Sequence, residues 1–385
     1  MSTIKVQNIQ HTASSSNAIS LASDGTCTVK STNRQGRNLV FNGAFTLAQY
    51  GATSTTEGYG TVDRFRTDWD GLNEAVTQSH HDLTSSETPY SHGFTKKWKI
   101  TNGNQTSVDA GDWLRLMQGI ESQHIRSSGW KYTDPNSYLT ISFWVRSSVA
   151  QTYYFHVKTY DGTAQTYAHP YALSANTWTK ITHSIAGNAN LTFDDDNNLG
   201  LDVLWVLYYG TTYTNNSASD NTWGAHNYAA QTKDITSTWY DTDDATFELA
   251  GVQLEVGSEP TDFDFESKLE TLTKCQRYYY EHVYQGGTTS IPILNTTQWS
   301  SSYSYGVLPL PTTMRIGPSL IHTTGTNYYT VYANQTFDQI DSLYLNMTST
   351  NVVEIRANCT LTTSHSTWIR TSAQGVLVAF TAEFT

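Results

Sequence analysis

Charge is what this 385-residue chain has least of: Asp, Glu, Lys and Arg together supply 15% of it, against roughly a quarter in ordinary soluble proteins. The little charge is one-sided. There are 22 Lys and Arg against 34 Asp and Glu, for a net charge of −12, which argues against a nucleic-acid partner, because phosphate binding needs clustered basic residues. The longest basic cluster, Lys96-Lys97-Trp98-Lys99, would spread its lysines over two faces of a strand and is expected at a solvated sheet edge. Cysteine is scarce too. Cys27, Cys275 and Cys359 are odd in number and far apart, so they form no metal knuckle and no disulfide framework. No run approaches the roughly eighteen apolar residues of a membrane span. The opening MSTIKVQNIQ has no basic segment followed by an apolar one, so no signal peptide, no membrane insertion and synthesis in a reducing cytoplasm are expected. Catalytic signatures are also missing: there is no G-x-S-x-G, Walker loop, H-E-x-x-H or G-x-G-x-x-G.

What fills the deficit is aromatic and polar. Tyr occurs 25 times and Trp 11 times, and aromatics reach 13%. Thr, Tyr and Trp suit a pleated, half-buried surface, and Asn, Gly and Ser suit the turns between strands. The composition predicts an all-β chain. Residues 1–36 hold two short alternating runs, Ile4 to Ile9 and Thr26 to Val29, around an Asp24-Gly25 turn signal. Too short to bury a core, they read as an attachment or oligomerisation arm, with a disordered leader as the other reading.

Over residues 37–284 the text repeats strand, turn, strand. Leu139, Ile141, Phe143 and Val145 alternate with polar neighbours, the mark of a half-buried strand. Leu201 to Tyr209 is apolar on both phases and predicts a central strand covered on both faces. The phase slips at Ala250-Gly251, as a β-bulge would make it. The pattern predicts a jelly-roll β-sandwich. Leu269, Leu272, Gln276 and Tyr279 fall at helical spacing and predict a short helix over about 266–282. Residues 285–385, punctuated by Pro292, Pro309, Pro311 and Pro318, read as a second, smaller β-sandwich domain.

Three stretches carry a resemblance. Asn38-Leu-Val-Phe-Asn-Gly-Ala-Phe45 with Asp63-Arg64-Phe65, Ala250-Gly-Val-Gln-Leu-Glu-Val-Gly257, and Leu272-Thr-Lys-Cys-Gln-Arg-Tyr-Tyr279 together resemble the sandwich domains of tailed-bacteriophage tail fibres and virion appendages. Phe65 stands where that pattern has Trp. The opening IKVQNIQ and the stretch Leu308-Pro-Leu-Pro-Thr-Thr-Met-Arg315 resemble marine phage appendages of the same architecture. The resemblance implies a carbohydrate-binding-like jelly roll, a homotrimer carried on the virion, an arm meeting other tail or capsid proteins, and a host-surface glycan as partner. In these motifs Asp63 and Arg64 read as a charged pair at a strand edge, Arg277 as a tie between helix and sandwich, and Cys275 as a small buried apolar residue.

Sugar rings pack on flat aromatic side chains, so exposed aromatic groups are the binding candidates. Trp223, His226 and Tyr228 form one group, Trp299, Tyr303 and Tyr305 a second, and Tyr328-Tyr329 a third. Each group has packing, locally or across subunits, as its other reading. Asp194, Asp196, Asp241 and Asp243 sit in acidic loops that read either as solvated turns or as a structural calcium site. No cofactor is otherwise expected. His80-His81 face opposite sides of a strand. Asp68 and Asp70 are the carboxylates a glycan hydrolase would need across a cleft. The alternatives to an adhesive fibre are therefore a purely structural appendage or adaptor and, third, a polysaccharide hydrolase.

Overall fold

The computed structural model describes residues 36–284, 289–362 and 365–384, with short stretches (6–9, 12, 19–21 and 27–29) before them. It is all-β, and every strand pairing is antiparallel. In the arm, Asn8–Ile9, Ile19–Leu21 and Cys27–Val29 form a small three-stranded sheet. Ile4 and the Asp24-Gly25 turn lie outside the described residues.

Two six-stranded sheets make the jelly-roll sandwich. The first runs in the order Gly224–Ala225, Gln165–Leu173, Gln151–Thr159, Leu199–Tyr209, Trp113–Glu121, Arg66–Asp70. The second runs Thr179–Ala186, Tyr138–Ser147, Thr246–Val256, Lys96–Thr101, Thr77–Asp82, Thr53–Ser54. Alternation decides what lies between them: Phe143, Val145, Phe247 and Trp98 face Phe155, Val203 and Trp205 in one core. Phe143 meets Trp205 edge to face at 5.7 Å, the arrangement aromatic quadrupoles favour. The Leu199–Tyr209 strand is buried on both faces as its sequence predicts, because residues 210–245 fold over the sheet's outer side and pack Ile235 and Tyr240 on Tyr154, Val206 and Tyr208. The bulge is where the phase slip placed it: pairing shifts between Ala250 and Gln253. Gly251 has φ 58° and no room for a Cβ, which would meet the Phe94 ring at 2.3 Å.

Three details differ from expectation. The Lys96–Thr101 strand is internal, not an edge. Lys97 is buried between Glu87 and Glu248, and Lys96 pairs with Asp82, so these charges are consumed internally. The helix covers only Lys268–Gln276, opened by a Ser267/Glu270 capping box. Its buried face is Thr271 and Cys275, while Leu269 is 72% exposed. The chain then turns into a strand, Tyr279–Val283, which pairs with Val378–Thr381.

That strand belongs to a second, smaller sandwich. Its three-stranded sheet (Tyr279–Val283, Val378–Thr381, Ser319–His322) faces a seven-stranded one. The larger sheet runs Thr336–Ile340, Tyr329–Ala333, Ser366–Thr371, Pro292–Ser300, Tyr303–Pro309, Val352–Asn358, Tyr344–Thr348. Val283, Val378 and Phe380 meet Val331, Ile355 and Ile369 between them.

The motif residues gather where the two sandwiches touch. Arg64 does not pair with Asp63. Its guanidinium, about 1% exposed, pairs with Glu383, donates to the Gly119 carbonyl at 2.7 Å and lies 3.4 Å over the Tyr278 ring. Asp63 instead accepts hydrogen bonds from the Gln49 backbone and side chain. Arg277 grips fully buried Glu121 with two nitrogens, at 2.6 and 2.7 Å, and the Tyr278 hydroxyl donates to the same carboxylate. Burial alone would raise the Glu121 pKa, but Arg277 and Tyr278 hold it below the usual range. Arg315 donates to the carbonyls of Ala382, Glu383 and Asn197.

Arg277→Met strands the Glu121 charge, and unfolding stability at pH 7 is expected to drop by about 3–5 kcal/mol. The loss should shrink in acid, where Glu121 takes up a proton; calorimetry across pH checks both. Near the same junction burial, and for Glu281 also the Asp63 charge, raises Asp63 to about 6 and Glu281 to about 7. A carboxyl whose folded pKa is raised binds more protons folded than unfolded, so it costs stability as pH climbs through its folded value. Glu281→Gln should therefore flatten the fall in Tm between pH 5 and 8 and melt above the parent at pH 8.

Candidate functional site

The outer face of the seven-stranded sheet is open and aromatic, because its strands alternate buried inward residues, apolar or small and polar, with outward ones that include most of the large rings. In the 366–371 strand Thr367, Ile369 and Thr371 are buried while Trp368 shows. In the 292–300 strand Thr296 and Gln298 turn in, leaving Asn295, Thr297 and Trp299 out. Register then lines up a row across the sheet. Phe337 lies opposite Tyr332, Tyr332 opposite Trp368, and Trp368 opposite Asn295. On the same strand Thr297 lies opposite Tyr305, Tyr305 opposite Arg356, and Arg356 opposite Tyr344. Seven strands span about 29 Å.

Two arginines are built into this row. Arg370 has its Cζ 5.7 Å from the Tyr332 ring and 5.9 Å from Trp368, whose rings stack at 5.6 Å. Arg356 lies 5.3 Å from Tyr303 and 4.9 Å from Tyr344. Between them run two shallow depressions that share Asn295, one bounded by Tyr305 and Glu354, the other by Trp368 and Arg370. Such a face can offer ring surfaces to sugar C–H groups while side-chain amide and guanidinium N–H groups meet hydroxyls.

Of the candidates named from sequence, Trp299, Tyr303 and Tyr305 share this face, with Trp299 78% exposed. Sequence reasoning missed Asn295, Tyr332, Phe337, Tyr344, Arg356, Trp368 and Arg370. The alternation in Ser366–Thr371 and Tyr329–Ala333 was the available signal, but strand order decides which residues become neighbours. The third group does not lie on this face. Tyr329 is fully buried and Tyr328 packs on the same core.

The first group is split. Trp223 donates its indole N–H to the Ala186 carbonyl at 2.8 Å and packs against the sandwich core, 5.5 Å from Tyr167. Tyr228 is 67% exposed, with His226 edge-on at 4.6 Å. Lys158 sits 4.8 Å from the Tyr160 ring and 5.6 Å from Tyr228. Beneath them His156 is wholly buried, and neither its nitrogens nor those of His226 have a partner among the described residues. Burial, then the neighbouring cations, pushes His226 down to about 4 and His156 to about 3, so both imidazoles are neutral at pH 7.

Two of the acidic candidates, Asp196 and Asp241, have their carboxylates engaged locally. Asp196 accepts from the Asn198 backbone at 3.1 Å, Asp241 accepts from Ser237 at 2.9 Å, and the Asp194 N–H donates to Asp161. Among the described residues no three His, Cys, Asp or Glu side chains, Asp243 included, group as a metal would require. Asp68 is held by Arg115 at 2.6 and 2.9 Å, and Asp70 accepts from the Gly71 N–H. His80 bonds the Phe45 carbonyl at 2.8 Å.

No family profile matches the chain, and no curated protein matches it. Among solved structures it is similar to a family 11 carbohydrate-binding module of Clostridium thermocellum complexed with a mixed-linked tetrasaccharide. The identity is 10%, with 53% of this chain and 95% of that one covered and a TM-score of 0.26. A tandem of two family 22 modules from Paenibacillus barcinonensis matches at 10% identity over 92% and 100%, TM-score 0.27. The CBM22-1-GH10 modules of a Clostridium thermocellum endo-1,4-beta-D-xylanase match at 9% identity, TM-score 0.27, over 56% of this chain and 29% of theirs. The chain thus spans under a third of that xylanase structure's length.

If the outward aromatics are surface and not packing, truncating them is cheap. Trp299→Ala is expected to change unfolding stability by less than about 0.5 kcal/mol. Tyr329→Ala, inside the core, should cost about 3–5 kcal/mol. Denaturant titration of the two variants separates the classes.

Proposed function

We propose that this chain is a fibre or appendage protein of a tailed-bacteriophage virion that adheres to host-surface glycan through the outer face of its seven-stranded sheet. The observation that carries the adhesive part is the row of outward rings, Phe337, Tyr332, Trp368, Trp299, Tyr303, Tyr305 and Tyr344, on a face that nothing in the chain's described residues covers. A soluble chain with no outside partner for such a surface would expose it at a cost in solubility. The virion part is supported by the motif resemblance, whose Arg64, Arg277 and Tyr278 turn out to be the residues that lock the two sandwiches together. In this reading residues 1–36 attach to tail or capsid proteins and the jelly-roll domain follows them. It ends at the 268–276 helix and not at 284, because Tyr279–Val283 is already the first strand of the distal domain. Three copies on one fibre raise avidity through effective concentration without a tight single site.

The test applies the full-length protein to an array of purified bacterial surface polysaccharides. Saturable binding is expected, falling at least about tenfold in Trp299→Ala/Trp368→Ala while Tm is unchanged. A folded protein that binds no polysaccharide, or a double variant that binds like the parent, would move the reading to a purely structural appendage.

A further inference from the structure

Arginine on the aromatic face is treated differently from the arginines of the junction and the first sandwich, where even Arg126 and Arg315, which meet no carboxylate, donate to backbone carbonyls. At the junction and in the sandwich, Arg64, Arg115, Arg146 and Arg277 all meet carboxylates. Arg356 and Arg370 do not: among the described residues neither guanidinium has a carboxylate or hydrogen-bond partner, although acids outnumber bases 34 to 22. The nearby acids are engaged. Glu354 accepts from the Asn346 amide, and Asp338 accepts from the Thr360 N–H at 2.6 Å. Aromatic rings flank each guanidinium instead, with its Nε buried among them, which leaves the terminal N–H donors for an incoming anion.

We propose that this face selects acidic glycans, with Arg356 and Arg370 each receiving an anionic group, carboxylate or sulfate, of one sugar chain. The proposal rests on the glycan-binding reading above and specifies its ligand. Planar, forked donors match a carboxylate or sulfate better than they match a lone hydroxyl. Arg356 and Arg370 are three strands and about four residues apart, so strand geometry separates them by about 20 Å. One monosaccharide cannot reach both. The ligand is therefore a polymer with recurring acid groups, laid across the shared depression at Asn295 with its rings on Trp368 and Tyr305. A net charge of −12 makes the rest of the molecule a poor surface for polyanions, which confines the attraction to this face.

Full-length protein is titrated by isothermal calorimetry with polygalacturonate and with dextran sulfate, each beside its neutral counterpart, carboxyl-reduced polygalacturonate and dextran. At least one acidic polymer should bind about tenfold or more tighter than its neutral partner. Binding should weaken between about 0.05 and 0.5 M salt. Arg356→Gln/Arg370→Gln should lose about tenfold or more of acidic binding at unchanged Tm and sedimentation. Which acidic polymer binds distinguishes carboxylate from sulfate. Equal binding of neutral polymers, parent-like binding by the double variant, a change of oligomeric state in that variant, or binding of neither acidic polymer would each overturn the proposal. In the last case, Trp299-dependent binding on the polysaccharide array would leave adhesion standing and remove only its acidic selectivity.

Discussion

The contact on which the arrangement depends is the Arg64 guanidinium lying over Tyr278 with Glu383 at its edge. A cation this deeply buried is tolerable only when its charge is met. The chain meets it from three distant segments, with Glu383 and the Gly119 carbonyl on the two terminal nitrogens and the Tyr278 ring against the guanidinium face. Arg277 on Glu121 and Arg315 on the 382–383 carbonyls repeat the device around it. Buried ion pairs add little net stability against an apolar alternative, but breaking one is costly. The junction therefore specifies geometry: any other docking of the two sandwiches would leave unpaired charge in the interior.

With the junction fixed, the two sandwiches solve the problem of a sheet's outer face in opposite ways. The first covers it with residues 210–245, whose Ile235 and Tyr240 complete a second apolar layer. The second leaves its seven-stranded sheet bare of other described residues and puts rings on it, with two arginines that have no partner among the described residues. Composition does not distinguish a covered aromatic surface from an open one. Only the length of the loop that follows the central strand does.

This is also where sequence ran out. Period-two alternation exposed Leu139 to Val145 as a core face, and the two-phase run Leu201 to Tyr209 as a central strand, because a pleat writes itself locally. The bulge at Ala250-Gly251 was legible for the same reason. The partner of Arg64 lies 319 residues away, and nothing local encodes it; the neighbouring Asp63 was the wrong choice. Lys97 looked solvated because its two carboxylates, Glu87 and Glu248, come from other segments. Trp299, Tyr303 and Tyr305 were visible as a cluster since a short hairpin joins their strands. Trp368 and Tyr332 were not, because Trp368 pairs with Asn295, 73 residues earlier, and with Tyr332, 36 residues earlier. The helix stripe misled: Leu269 points to solvent, and Thr271 with Cys275 does the packing.

The first and last strands of the second sandwich, Tyr279–Val283 and Val378–Thr381, are hydrogen-bonded neighbours. The chain therefore enters and leaves that unit at one place, beside the junction, as a thread enters and leaves a knot. A pull on the bare sheet is carried back to the sandwich by two ribbons side by side and not by one flexible tether, so the face keeps its aim under load. The same closure frees the far strands to vary: residues can be exchanged on the bare sheet, even to a different surface chemistry, without disturbing a single contact that mounts it.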